Sequence, residues 1–344
     1  MLNIGIIGCG KIAQVRHIPE YQHNPQAQLC AFFDLNFERA KALADKFGGK
    51  AYKSLDEMFS EAKLDAVSIC SANNSHAEHA LCAMEHGVNV LLEKPMAVTL
   101  EECIKLTEKA KEKGVRLMID QNQRLAKAHA KAHELIAAGA IGKVLSFRTV
   151  FGHGGPETWS IDPGKATWFF DKNKASMGAM GDLGVHKTDL IQYLVGCTIK
   201  AVSAKLATID KRTADGSLIS VDDNAICIYE MANGAVGTMT ASWTYYGAED
   251  NSTVIYGDKG IMHIYDDPSY SLKIVGRDGS VVTYELDRIQ TNDNQTSSGI
   301  IDAFVDCLTT GTTPLIDAVS VLPAMKAVFA AMQSSAEGRR IEIE

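Results

Sequence analysis

Gly8-Cys9-Gly10-Lys11-Ile12-Ala13 reads G-x-G-x-x-A directly after the apolar run 2–7. In such a turn the first glycine permits a tight bend and the second lets the backbone approach a pyrophosphate. The small last residue packs helix against strand. The following helix offers free N–H groups and a partial positive charge to the phosphate, which makes Gly8, Gly10, Lys11 and Ile12 candidate contacts. Asp34 ends the second apolar run, about 20 residues on, where a carboxylate accepts both hydroxyls of an adenosine ribose and repels a 2′-phosphate. Leu35 and Asn36 offer no clamp for such a phosphate, and Arg39 faces away at helical spacing. NAD is therefore expected over NADP. A cap on the next helix would also suit Asp34.

Other residues could move protons. Glu93-Lys94-Pro95 follows the run Val90-Leu91-Leu92, at the carboxyl end of a buried strand, where open α/β sheets bind ligands. Pro95 fixes the backbone beside Lys94, although a solvated strand end also carries lysine. Asp182 and His186 are four apart and share a helical face. The carboxylate can then hold the imidazole in one tautomer and tune its proton affinity. A first-turn aspartate beside a core histidine has the same spacing. The loop 152–174 carries Trp159 and Trp168 with His153, Glu157 and Asp162. Aromatic faces with polar edges suit a sugar ring, and equally a packing or subunit contact. Tyr245, in Trp243-Thr244-Tyr245-Tyr246, belongs to a second aromatic cluster, and Gln123 and Arg124 follow a strand end within reach of cofactor or substrate. His129 and His133 lack a third ligand and sit on a Lys- and Ala-rich face, so they are expected on a solvated surface. No metal is expected.

The elements that must position these residues change texture along the chain. Five strand-like runs (4–7, 28–33, 66–70, 88–92 and 116–119) alternate with amphipathic stretches. Ser54/Glu57, Ser75/Glu78 and Thr99/Glu102 have capping-box spacing at helix starts. This alternation predicts an α/β Rossmann parallel sheet over 1–122. A helix over 124–139 and another near 182–195 follow, then seven strand-like runs between 201 and 286, separated by turn signals such as Asn233-Gly234 and Asp278-Gly279. Residues 123–344 are expected to form an α+β domain with a large open, mostly antiparallel sheet for substrate binding and oligomerisation. An open sheet must cover its apolar face, so a homodimer or homotetramer through that sheet is expected.

With 344 residues, 46% hydrophobic and 22% charged, the chain is long enough for two ordinary globular domains. A net charge of −8 without a basic patch argues against nucleic acid. No apolar run spans a bilayer and no leader is visible. The eight cysteines are scattered singly, which fits reduced thiols and a cytoplasmic location.

The combination of motifs resembles the glucose–fructose oxidoreductase, inositol dehydrogenase and rhizopine-catabolism (Gfo/Idh/MocA) family of sugar and polyol dehydrogenases. The likeness covers nearly the whole chain: G-x-G-x-x-A, the Ser71–His76 stretch, Glu93-Lys94-Pro95, the Asn122–Gly142 segment and D-x-G-x-H at Asp182–His186. It implies that Lys94, Asp182 and His186 surround a substrate hydroxyl beside the nicotinamide. It further implies that Glu93 contacts the cofactor ribose, that Ala72, Asn73 and His76 lie near the cofactor, and that Trp168 stands on the nicotinamide side. The Lys94–Pro95 bond is expected to be cis. Two departures stand out. Ala72 replaces a frequent proline, and Ser176-Met177-Gly178 keeps only the last of three glycines, which puts that turn's geometry in question.

The resulting expectation is NAD-dependent hydride transfer with a secondary hydroxyl or ketone of a sugar, cyclitol or derivative. His186 is the better-matched base at neutral pH. Lys94 hydrogen-bonds the developing alkoxide or shares the proton, and Asp182 orients His186 or binds a neighbouring hydroxyl. An NAD-dependent glycosidase using transient oxidation and a non-catalytic NAD-binding regulator are the alternatives.

Overall fold

The computed structural model describes residues 1–289 and 297–344. Six strands form the first sheet: β1 (Leu2–Ile7), β2 (Ala27–Phe33), β3 (Lys50–Tyr52), β4 (Ala66–Ile69), β5 (Asn89–Leu92) and β6 (Leu117–Ile119). All pairs are parallel and the order is β3-β2-β1-β4-β5-β6. Ile4, Ile6, Ile7, Val67, Ile69, Val90, Leu91 and Leu92 are fully buried, as both faces of a parallel sheet covered by helices require. The order reverses between β1 and β4, and ligands bind outside the carboxyl ends of strands at such a point. Ser54 and Thr99 cap their helices as their spacing predicts, Thr99 in a full capping box with Glu102. Ser75 does not; its side chain makes no cap, because Asn73–Ser75 is a 3₁₀ turn running straight into the helix His76–Glu85.

Nine strands form the second sheet: β7 (Val144–Gly152), β8 (Ile199–Ala207), β9 (Asn224–Met231), β10 (Val236–Ser242), β11 (Thr253–Gly257), β12 (Gly260–Ile264), β13 (Leu272–Gly276), β14 (Val281–Tyr284) and β15 (Ile341–Glu342). Their order is β14-β13-β12-β11-β7-β10-β9-β8-β15. Every pair is antiparallel except β7 with β10, which is parallel and interrupts the expected meander. One face carries Ile226, Ile228 and Val236, each about half exposed. The helix Val185–Val195 belongs to the same unit and buries eight of its eleven residues, the polar His186, Lys187, Thr188 and Asp189 included.

Contacts divide the chain into two units, Met1–Asn122 with Gln290–Leu322, and Gln123–Ile289 with Pro323–Glu344; residues 290–296 lie outside the described residues. The sequence assigns everything beyond 122 to the second domain, whereas the contacts return the stretch around the helix Ile300–Thr310 to the first. Ser298 donates to Glu20 through its N–H (2.6 Å) and hydroxyl (3.0 Å), and the Ile119 N–H donates to the Ile316 carbonyl at 2.9 Å. The returning segment thus covers the edge of β6, which would otherwise present unpaired backbone groups.

Among the described residues, no helix is long and apolar enough to cross a membrane.

Candidate active site

In the first unit β1 is followed directly by Gly8, whose φ is +89°. A Cβ there would stand 2.5 Å from the Ser71 nitrogen, so only glycine lets β1 and β4 close at this point. A Cβ on Gly10 would meet nothing within 4 Å. That open space is where a pyrophosphate needs to approach the backbone. Asp34 Oδ2 accepts the Cys9 N–H at 2.7 Å and Oδ1 accepts the Asn36 N–H at 2.7 Å. Asn36, not Asp34, caps the helix Phe37–Phe47. The carboxylate is therefore fixed to the glycine turn, and each oxygen keeps a second acceptor site for a ribose hydroxyl. These features fit NAD.

Ala72 precedes the 3₁₀ turn Asn73–Ser75, and Asn73 is buried. His76 places Nδ1 2.8 Å from the Pro95 carbonyl and Nε2 3.0 Å from the Ser71 carbonyl, tying the loop after β5 to the end of β4. Burial lowers its pKa despite both carbonyls. Lys94–Pro95 is cis. Glu93 is buried, accepting from the Lys94 N–H at 3.1 Å through Oε2, while Oε1 lies 3.0 Å from His17 Nε2. Asp120 lies 3.2 Å from Arg16 and 3.4 Å from His17. Burial opposes charge on His17, but Cys70, Asp120 and Glu93 outweigh it and raise its pKa well above the ordinary value. Burial likewise opposes the Asp120 anion, and Arg16 and His17 outweigh it to hold that carboxyl below the usual range. His17, Glu93 and Asp120 could span a cation, but Arg16 already supplies positive charge to both carboxylates. Arg16 and His17 sit in a π-helical turn, Ala13–His17, inside the helix after the glycine turn. Nothing in their spacing marks this network.

In the second unit Asp182 lies in a second π-helical turn, Met180–Gly184, and His186 at the start of the α-helix Val185–Val195. The simple α-helical face expected from their spacing is thus replaced by a change of helical pitch between them. Both are 7% exposed. Asp182 Oδ2 accepts the Trp243 indole N–H at 3.0 Å, with His153 Nε2 at 4.0 Å from the same oxygen. Phe151 packs beside both His153 and His186, with centroids at 5.8 and 6.2 Å. Trp159 meets His153 edge-on, and Trp168 stacks on Phe169 at 3.9 Å. Tyr245 lies over Gly152, where a Cβ would come within 2.4 Å of its ring. Gln123 Nε2 donates to Asn251 Oδ1 at 3.3 Å, and its Oε1 is buried without a partner among the described residues.

The turn before the motif explains the missing glycines. A Cβ on Gly178 would lie 1.8 Å from the Asp222 carbonyl oxygen, so this glycine alone is obligatory. Asp222 also accepts from the Gly178 and Met180 N–H groups at 2.8 Å. Met177 is accommodated in the core, and Ser176 takes φ +64°, a strain of about 1–3 kcal/mol for a residue with a Cβ.

Two further features were missed or misplaced in the sequence. His129 is wholly buried, not solvated: its Nδ1 meets the Gln123 carbonyl at 2.8 Å and its ring stands edge-on to Tyr265. Burial pushes its pKa down to about 3. Lys187, beside His186, is also wholly buried and donates to the Asn251 carbonyl at 3.0 Å. Burial pushes it down to about 7, against the opposing pull of Asp250 and Glu249. The sequence signal was only a lysine within an apolar helix.

This lysine has a measurable consequence. Above about pH 7 the folded chain holds Lys187 neutral, while an unfolded lysine stays protonated to roughly pH 10.4. The unfolded state then binds more protons, so this residue's contribution to stability rises with pH across that window. Denaturant unfolding at pH 6.5 and 9 is expected to show wild type gaining on Lys187→Met by up to ~1.4 kcal/mol per pH unit. A pH-independent difference would mean that the group titrates as an ordinary lysine.

Comparison with known proteins follows the same division. Residues 2–121 match the Gfo/Idh/MocA oxidoreductase family, NAD-binding Rossmann fold, and 129–263 match the Gfo/Idh/MocA C-terminal domain. The levoglucosan dehydrogenase of Pseudarthrobacter phenanthrenivorans is 32% identical over 287 residues, covering 75% of this chain and 72% of that protein. The D-glucoside 3-dehydrogenase of Escherichia coli is 26% identical, covering 99% and 97%. A levoglucosan dehydrogenase solved in complex with NADH and levoglucosan superposes with a TM-score of 0.86 at 25% identity, covering 100% of this chain and 99% of that one. The glycine turn, the fixed Asp34 and these matches together establish that the chain belongs to the Gfo/Idh/MocA family of NAD-dependent oxidoreductases.

Proposed function

We propose that this enzyme oxidises a secondary hydroxyl of a sugar, cyclitol or sugar derivative, or reduces the corresponding ketone, with Lys94, Asp182 and His186 serving the reacting oxygen. The observation carrying this reading is the Asp182–His186 segment set among His153, Phe151, Trp159 and Trp243. Relatives named as dehydrogenases of levoglucosan and of D-glucosides support it.

NAD, when bound, supplies the hydride acceptor. Gly8, Gly10, Lys11 and Ile12 hold its pyrophosphate, Asp34 its adenosine ribose, and Ala72, Asn73, His76, Gln123 and Trp168 its remaining groups. His186 takes the hydroxyl proton at an imidazole nitrogen. The Lys94 ammonium donates a hydrogen bond to the oxygen as negative charge develops there. Asp182 orients a hydroxyl or the imidazole. Trp159, His153 and Tyr245 contact the ring's apolar C–H faces and polar edges. In reduction the same groups return the proton. Ile226, Ile228 and Val236 support self-association through the second sheet, and eight free cysteines support a cytoplasmic location.

A panel of aldoses, anhydrosugars, glycosides and cyclitols, followed by NADH absorbance, tests the reading. NADH formation with at least one polyhydroxylated ring is expected. Sugar release from a glycoside without NADH accumulation would identify transient oxidation instead, and inertness with NAD bound would identify a regulator.

A further inference from the structure

Trp243, just beyond β10, is the largest wholly buried side chain among the described residues. Its ring is held by Phe169 edge-on, with centroids 6.4 Å apart, and by Phe170 at 6.0 Å and 46°. Its N–H can only donate, and it donates to Asp182 Oδ2 at 3.0 Å. A fixed donor aimed at one carboxylate oxygen selects that carboxyl's rotamer and favours its ionised form. The polar groups around Asp182 include His153 at 4.0 Å, His186 farther along the helix, and Asp222, which accepts from the N–H groups of the same turn.

We propose that Trp243 is a positioning residue for hydride transfer, holding the Asp182 carboxylate in its working orientation through the indole N–H. The inference rests on the reading of Asp182 as part of the reaction centre. The buried indole would otherwise need only some acceptor to satisfy it. The assignment of that acceptor to the motif aspartate, when backbone carbonyls abound in a sheet, gives the bond a role in the site.

Trp243→Phe keeps an aromatic ring and removes the donor. With an active sugar, kcat is expected to fall about ten- to hundredfold, and the acidic limb of its pH profile to rise by about one unit. NAD affinity should remain within twofold. In an Asp182→Ala background, which leaves the indole N–H no side-chain acceptor at this position, the same change should cost little more, because the two act as one unit. Equal losses in both backgrounds, or a kcat loss with an unmoved pH profile, would show a packing role alone and overturn the proposal. Tryptophan fluorescence of the wild-type protein provides an arm that needs neither turnover nor the Phe variant. A pH transition present in wild type and absent from Asp182→Asn supports the link even if no sugar is oxidised. Identical titrations in the two proteins would overturn it.

Discussion

Lys94→Ala is expected to lower kcat by about 10²–10⁴ while leaving NAD affinity within twofold of wild type. That range is what a positioned proton-transfer or oxyanion group contributes. The backbone around Lys94 has anchors of its own. Its N–H is taken by Glu93 Oε2, and the Pro95 carbonyl by His76. Truncation should therefore remove the ammonium without dismantling the loop. Steady-state kinetics with the best sugar of the panel, combined with NAD binding by fluorescence, separates the two effects. Turnover within a few-fold of wild type would take Lys94 out of the mechanism. His186→Asn then becomes the informative variant, because the imidazole would be left as the sole proton carrier.

Asp34→Asn should shift cofactor preference by about a hundredfold from NAD towards NADP. The amide oxygen can still accept one of the two backbone N–H groups, from Cys9 or Asn36, that the carboxylate holds. What it loses is the charge. Charge-assisted bonds to ribose hydroxyls are worth about 1.5–3 kcal/mol each, and a carboxylate within ~4 Å of a 2′-phosphate repels it by several kcal/mol at intermediate dielectric. Losing the first weakens NAD, and losing the second admits NADP. Dissociation constants for both cofactors check this. A wild-type preference for NADP, or a ratio unmoved by the substitution, would transfer the discrimination to another residue.

Most of the first sheet was legible because its signals are local. The G-x-G-x-x-A turn, the apolar runs and the Thr99–Glu102 cap all act within a few residues of one another. Three elements escaped. β3 is only Lys50–Tyr52, too short for a periodic signal. The two π-helical turns, at Ala13–His17 and Met180–Gly184, follow no pattern that α-helical spacing reveals. His129 and His133 looked solvated because neighbouring lysines and alanines dominated the face, yet Tyr265, distant in the chain, covers His129.

What the amino-acid sequence determined by itself was the chemistry available: a dinucleotide turn with an acidic ribose ligand, a lysine at a strand end and an Asp/His pair beside aromatics. Their kinds and local spacings follow from backbone geometry and side-chain valence. Only the tertiary structure decided what each group's neighbours are. It gave Asp182 the indole of Trp243, gave Glu93 the buried cations Arg16 and His17, and shut Lys187 away from water. Orientation and proton affinity depend on partners tens of residues away and on the exclusion of solvent. Both are set when the sheets and helices pack, and neither is encoded in any short stretch of chain.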